Sequence, residues 1–291
     1  MTRDEIDQRL AELQAEAQVI LAKSRFQAFQ PMPYQRAWFE CDKKIVVVLG
    51  GNRIGKTEFG AVMTIMACTG VKPVAIGGQP VAAYPAGHLD GFRFAALGET
   101  MSTSVRDTIL PKLRFYITPE MLLPPPHHIK KNNATGLEQI FRFRSGAELV
   151  IGSYDQDVSM WEGPRWNQVW FDEPPPQPHF KAFLRGTTDM GGRMLITCTP
   201  LKEPWMKDTL TDSVLDDKHP MHGSVDYFEV GMEENCREHS GGHIPHAEIE
   251  ILAAALTPQE RAARMYGKFM SMQGVEFKEY DPSIHVVPDL Y

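Results

Sequence analysis

Several features are scarce or missing in this sequence, and each absence narrows the reading. No apolar run approaches the roughly 18 residues that a membrane-spanning helix needs. The opening residues, MTRDEIDQRL, are too charged for a secretory signal. Cysteine occurs only at Cys41, Cys68, Cys198 and Cys236, widely spaced and without a C-x-x-C pair. That argues against a disulfide framework and for a reducing compartment. The expectation is a soluble protein of the cytosol, with no membrane partner. Blocks of like charge are missing too. Lysine and arginine number 30 against 37 aspartates and glutamates, a formal net charge of -7. A protein that coats nucleic acid is usually basic, so any such contact must be a local patch or lie on another domain or subunit. There is no internal repeat or low-complexity tract. The proline runs at 124–126 and 174–176 are short enough to read as loops.

What is present is an ordinary globular composition, 43% hydrophobic over 291 residues, enough for one large or two modest domains. Residues 4–23 place Ile6, Leu10, Leu13, Ala17, Ile20 and Leu21 at helical spacing. This predicts an N-terminal amphipathic helix, segment 1–25, that packs on the main domain. The valine-rich stretch 44–49 reads as a strand buried on both faces, and 55–68 as a helix. Further strands are expected over 92–97, 168–171 and 194–198, and a hairpin pairs 139–143 with 148–151 across Ser145-Gly146. Helices are expected over 105–115, 246–255 and 258–270. The alternation predicts the α/β class with a largely parallel sheet.

The most specific signal is IVVVLGGNRIGKTEFGAVM, residues 45–63. Gly50, Gly55, Lys56 and Thr57 fit G-x-x-x-x-G-K-[ST] between a strand and a helix. Glycines let a loop turn its backbone N–H groups inward and approach phosphate closely. The helix that follows adds the positive end of its dipole. Lys56 has the reach for β- and γ-phosphates, and the Thr57 hydroxyl suits Mg²⁺. The stretch Gly50, Gly51, Asn52, Arg53, Ile54, Gly55, Lys56, Thr57 and Glu58 is therefore the candidate nucleotide cradle.

A second signal is VWFDEPPP, residues 169–176, an apolar strand ending in Asp172 and Glu173. In an open parallel sheet ligands bind beyond the carboxyl ends of the strands, so both carboxylates are expected at the mouth that receives phosphate. Asp172 suits Mg²⁺; Glu173 suits the general base that orients water. A guanine-reading N-K-x-D is missing. Gln35, shortly upstream, carries an amide that can donate and accept at once, which matches the N6 and N7 edge of adenine. Phe26, Phe29 and Tyr34 are nearby candidates to stack on the base.

With these motifs in order, the chain resembles the ATPase domain of the large terminase subunit, the motor that packages DNA into tailed-phage and herpesvirus-like heads. The resemblance covers most of residues 26–291. It rests on PMPYQ, GGNRIGKTEFGA, EGPRWNQVWFDEP, LITCTP and the tail RMYGKFMSMQGVEFKEYDPSIHVV. It implies a P-loop NTPase of the additional-strand, RecA-like type, with a mainly parallel central sheet flanked by helices, over residues 26–270. It also implies ATP and Mg²⁺ as cofactors, Gln35 on adenine, and Asp172 and Glu173 as metal ligand and catalytic glutamate. Thr199 and Pro200 become the motif that couples hydrolysis to movement. Arg53 is a candidate phosphate sensor, although relatives carry that arginine where this chain has Asn52. Arg165 is a candidate finger for a neighbouring subunit's γ-phosphate, in competition with Arg142, Arg185 and Arg193. The implied partners are double-stranded DNA, a portal protein and a small terminase subunit, in a homo-oligomeric ring within the host cytoplasm. Residues 271–291 read as the lead-in to a nuclease domain, of which Asp281 and Asp289 supply no acidic cluster, so no nuclease activity is expected. Two alternatives stand beside this: a helicase-like ATPase acting on nucleic acid, and an assembly module in which nucleotide only organises a ring.

One further segment carries ligand chemistry. NCREHSGGHIPH, residues 235–246, offers Cys236, His239, His243 and His246 at intervals compatible with zinc. The Gly241-Gly242 step breaks any single helical face, no matching ligand pair occurs elsewhere, and the resemblance implies a loop and helix without metal. The expectation is no zinc.

Overall fold

A computed structural model describes residues 9, 24–77 and 89–269. The helix expected over 4–23, apart from Arg9, and the segment 271–291 lie outside the described residues. The chain divides into two compact units: Met1–Val46 with Gly55–Thr197, and Val47–Ile54 with Cys198–Tyr291.

Eight strands form one sheet: β1 Ile45–Gly50, β2 Arg93–Gly98, β3 Ile129–Lys131, β4 Glu138–Arg142, β5 Glu148–Ser153, β6 Gln168–Asp172, β7 Arg193–Cys198 and β8 Val225–Val230. Their order is β3-β4-β5-β2-β6-β7-β1-β8. Strand β2 runs parallel to β5 and β6, and β6 parallel to β7. Strands β3, β4 and β5 form an antiparallel meander at one edge. The valine-rich β1 is buried at every position, as expected for a strand covered on both faces. In the strand order β7 falls between β1, which delivers the glycine loop, and β6, which ends in the acidic pair.

In the first unit, helix α1 spans Arg36–Glu40 and helix α2 spans Lys56–Thr69. Helix α2 is buried over nearly its whole length, so it shows no polar face, the pattern of a core helix. Gly55 starts it at φ 79° and Gly70 ends it at φ 70°, left-handed positions that favour glycine. Gly60 lets α2 lie directly on the sheet, since a Cβ there would stand 2.1 Å from the Trp170 ring of β6. Phe39 packs against Phe59 at 4.9 Å and Trp38 against Phe59 at 5.4 Å, which fastens α1 to α2.

The helix expected over 105–115 takes a different form. It opens as a π-helix, Met101–Ile109, and continues as the α-helix α3, Leu110–Tyr116. Pro111 has no N–H to contribute where the two meet, so the ladder changes pitch there. Helix α4, Gln177–Thr188, starts at the third of the three prolines read as a loop. Pro176 caps it and Pro178 sits in its first turn, where a missing N–H costs nothing. Buried His179, Phe180, Ala182, Phe183 and Thr187 line its inner face.

In the second unit, helices α5 His246–Ala255 and α6 Pro258–Tyr266 follow β8. Thr257 and Glu260 form a reciprocal capping box that starts α6. Met232, Cys236, Ile249 and Met265 make the buried centre of this unit.

Candidate active site

The glycine loop is held by backbone at its first half. Gly51 N–H donates to the Val230 carbonyl at 2.9 Å, and Asn52 N–H to the Arg264 carbonyl at 2.8 Å. A Cβ on Gly51 would stand 2.7 Å from that same Arg264 oxygen, so only glycine permits the approach. Exposed Arg53 adopts φ 63°, and its carbonyl accepts from Asn235 Nδ2 at 2.6 Å. A non-glycine residue in this region is strained and persists only where neighbours hold it.

The second half of the loop is held by side chains. Gln35 is buried, and its Oε1 accepts from Met32 N–H at 2.9 Å, which fixes the amide plane. A Cβ at Gly55 would stand 2.5 Å from Gln35 Nε2, so the amide lies directly against the loop where the helix begins. Thr57 Oγ1 donates to Asp172, at 3.1 Å from Oδ1 and 3.3 Å from Oδ2. Lys56 is 9% exposed despite its charge. The Glu58 carboxylate takes the Tyr116 hydroxyl and pairs with Lys112 Nζ at 3.4 Å. Its side chain is thus committed to α3.

Asp172, at the carboxyl end of β6, is 4% exposed. The parallel register places Thr197 of β7 beside it, and Thr197 Oγ1 lies 2.9 Å from Asp172 Oδ1. Trp170 Nε1 in turn donates to Thr197 Oγ1 at 2.8 Å. Burial, reinforced by the neighbouring Glu173 charge, pushes the Asp172 carboxyl up to about 7, against the pull of the Thr197 and Thr57 hydroxyls and the Lys56 ammonium. A buried carboxylate beside a hydroxyl is a hard-oxygen donor set short of positive charge, and it fits a divalent cation such as Mg²⁺. Glu173 leaves the strand at φ 76°. Its N–H donates to the Thr197 carbonyl at 2.8 Å, and the Tyr154 hydroxyl donates to its carbonyl at 2.8 Å. These bonds hold a left-handed backbone that aims this residue away from the strand line, strain of the kind that gathers at functional sites.

The remaining expected residues fall elsewhere. Arg165 precedes β6, at the opposite end of that strand from Asp172; it is 71% exposed and pairs with Asp189 at 3.5 Å. Arg142 pairs with Glu148, Arg185 with Glu162, and Arg193 donates to the Lys43 and Cys41 carbonyls. Thr199 and Pro200 follow β7 and are buried. The aromatic residues expected to stack on a base are a correction. Phe26 is fully buried, and Phe29 packs on Phe39 and Tyr116, so hydrophobic burial has taken both into the core. Tyr34 remains half-buried, edge-on to Trp38. Thr197, Trp170 and Tyr154 were not foreseen. Only strand pairing reveals them, although Thr197 sits in the same LITCTP segment as Thr199.

A family model for the large terminase subunit, T4likevirus-type, N-terminal, matches residues 47–281. The chain belongs to that family. Its function is accordingly that of a DNA-packaging motor ATPase. Among solved structures, the ATPase domain of the large terminase of Thermus phage P74-26 is similar at TM-score 0.53 and 14% identity, covering 84% of this chain and 96% of that one. A point mutant of the same domain is similar at TM-score 0.55 and 14% identity, over 84% and 97%. The large terminase of a thermophilic bacteriophage, solved in complex with ADP, is similar at TM-score 0.54 and 18% identity, over 91% of this chain and 58% of that one. At these identities the likeness shows the fold, a mixed α/β architecture with a mostly parallel eight-stranded sheet flanked by helices. No curated protein sequence matches the chain.

Proposed function

We propose that this terminase chain binds ATP at the loop 53–57 and hydrolyses it through a water oriented by Glu173, driving double-stranded DNA into a procapsid. The observation that supports this most is the direct contact of Thr57 with Asp172 at 3.1 Å, with Glu173 the next residue. It joins the phosphate-binding motif to the acidic pair, 115 residues apart in sequence. The first loop amides serve Val230 and Arg264, so the phosphate-facing donors fall to the later part of the loop and the start of α2.

Thr57 and Asp172 would hold Mg²⁺, which draws off the charge that develops on the transferred phosphoryl oxygens. Lys56 neutralises the β- and γ-phosphates. Gln35, its amide plane already fixed, reads the adenine edge. Glu173 accepts the proton of the attacking water. Arg53 is assigned to sensing phosphate, and Thr199 with Pro200 to coupling hydrolysis to movement. Arg165, exposed and remote from Asp172 in its own chain, is assigned to a neighbouring subunit's site. Portal protein and small terminase subunit are the assigned partners in a ring working in the host cytoplasm. Among the described residues no helix is long and apolar enough to cross a membrane.

The test is phosphate release with and without double-stranded DNA, for the wild-type chain and Glu173→Ala. The reading requires that the variant bind ATP and fail to turn it over. Normal hydrolysis by Glu173→Ala would refute the role of that residue. Turnover with single-stranded but not double-stranded DNA would favour the helicase-like alternative.

A further inference from the structure

The structure draws together one ligand set that nucleotide chemistry does not use. Glu233, Cys236, His239 and His246 each offer a ligand atom, and these four atoms lie within 4.8 Å of one another. Glu233 Oε1 lies 2.5 Å from His239 Nδ1 and 3.1 Å from His246 Nδ1. Cys236 Sγ lies 3.7 Å from His246 Nδ1. From these contacts we infer that the segment 233–246 is a tetrahedral zinc site, with one carboxylate, one thiolate and two imidazole ligands.

The distances suit the metal. With zinc about 2.3 Å from sulfur and about 2.0–2.1 Å from nitrogen or oxygen, a tetrahedron has edges of roughly 3.3–3.6 Å. The Cys236–His246 and Glu233–His246 separations already lie close to those edges. The 2.5 Å contact between Glu233 and His239 is a hydrogen bond to be exchanged for two metal bonds. Both histidines have exposure that permits the small opening this needs. Charge balances as well: the thiol loses its proton to solvent, and thiolate plus carboxylate offset the two positive charges of the ion.

A second observation points the same way. His246 turns Nδ1 to the cluster, while its other nitrogen, Nε2, faces Glu250 Oε1 at 3.6 Å, one turn along α5. A metal-bound histidine almost always directs its second nitrogen to a carboxylate, carbonyl or water, which fixes tautomer and ring orientation.

The local fold explains how these four residues meet. Glu233 lies in the 3-10 turn Met232–Asn235, Cys236 is the N-cap of the short helix Arg237–Ser240, and His239 lies within that helix. Gly241 then turns the chain at φ 66°, and Gly242 passes so close to Asn235 that a Cβ would stand 2.2 Å from its carbonyl oxygen. The return leg pairs Ile244 with Cys236 and delivers His246 at the start of α5. The Gly-Gly step, read from the sequence as an obstacle, is what folds the second histidine back. His243 is not one of the four; its carbonyl accepts from Arg237. The ion would have a structural task, because the knot encloses Asn235, whose amide donates to the Arg53 carbonyl of the nucleotide loop.

The experiment is metal analysis of the untagged chain after exchange into metal-free buffer, with cobalt(II) substitution as the spectroscopic probe. One zinc per chain is expected, and a thiolate-to-cobalt charge-transfer band with tetrahedral d–d intensity. His239→Ala, at an exposed position, and Cys236→Ser should lose both, while His243→Ala keeps them. Glu250→Gln should weaken zinc about ten- to a hundredfold. No retained zinc with no tetrahedral cobalt spectrum overturns the site, as does undiminished zinc in a folded His239→Ala chain. Because the readout is metal content, it is independent of ATP turnover.

Discussion

The two halves of the glycine loop are held by different means. Residues 51–53 are fixed backbone to backbone and by one amide: Val230, Arg264 and Asn235 take up their polar groups. Residues 55–57 are fixed by side chains, Gln35 against Gly55 and Asp172 on Thr57. The first half is scaffold, and within it Gly51 tolerates no added atom, because a Cβ there would stand 2.7 Å from the Arg264 carbonyl oxygen. The second half is where the acidic pair meets the loop, and its groups are those that ATP and a metal ion can engage.

The largest expected effect lies in the second half. Glu173→Ala should reduce turnover by at least about 10²–10⁴-fold, the contribution typical of a positioned base, and Lys56→Ala should abolish turnover, with nucleotide binding kept only in the glutamate variant. Equal loss of binding in both would erase the distinction between holding and reacting groups. Next comes Gly60→Ala, which places a Cβ into the Trp170 ring. Overpacking of this kind costs about 1–3 kcal/mol, to be read by denaturant unfolding. Trp170 also donates to Thr197, so this variant should loosen Asp172 as well.

Thr197→Val leaves the buried Trp170 N–H unpaired, a loss of about 1–3 kcal/mol. It also removes one of the two hydroxyls that steady Asp172. Weaker Mg²⁺ dependence of turnover would show that Thr197 acts through Asp172; a stability loss with Mg²⁺ response unchanged would confine it to packing. Asn235→Leu tests the scaffold half. Loss of its bonds to the Arg53 carbonyl and from the His243 N–H should cost about 1–3 kcal/mol of stability and lower nucleotide affinity several-fold, with the rate of the bound state nearly unchanged. The smallest effect is Arg165→Ala in the isolated chain. Its exposed pair with Asp189 contributes at most about 1 kcal/mol, so stability and basal turnover should hold. In the assembled ring, loss of a trans-acting finger would lower turnover by about 10³–10⁵-fold.

Most of the candidate site was legible because it lies along the chain. A strand, two glycines, lysine and threonine announce a phosphate loop within one short stretch, and an apolar strand running into Asp172 and Glu173 announces that both lie at its carboxyl end. What stayed hidden depends on lateral pairing. Thr197 reaches Asp172 only because β6 and β7 are in parallel register, and no local pattern separates it from Thr199. Strand β8, with charged and half-exposed positions, lacks the alternation that marks a strand. Helix α4 was concealed by Pro174 to Pro176, whose last member is a cap. The Glu233 cluster was hidden twice: one ligand stands outside the Cys/His pattern, and a Gly-Gly turn brings the rest together.

The most direct test of the central claim is a structure of the chain with Mg²⁺ and a non-hydrolysable ATP analogue. The account predicts one nucleotide along the start of α2, its metal ion on Thr57 Oγ1 and next to Asp172, and its γ-phosphate facing Glu173. A nucleotide bound away from Lys56, or a metal ion that approaches neither Thr57 nor Asp172, would contradict it.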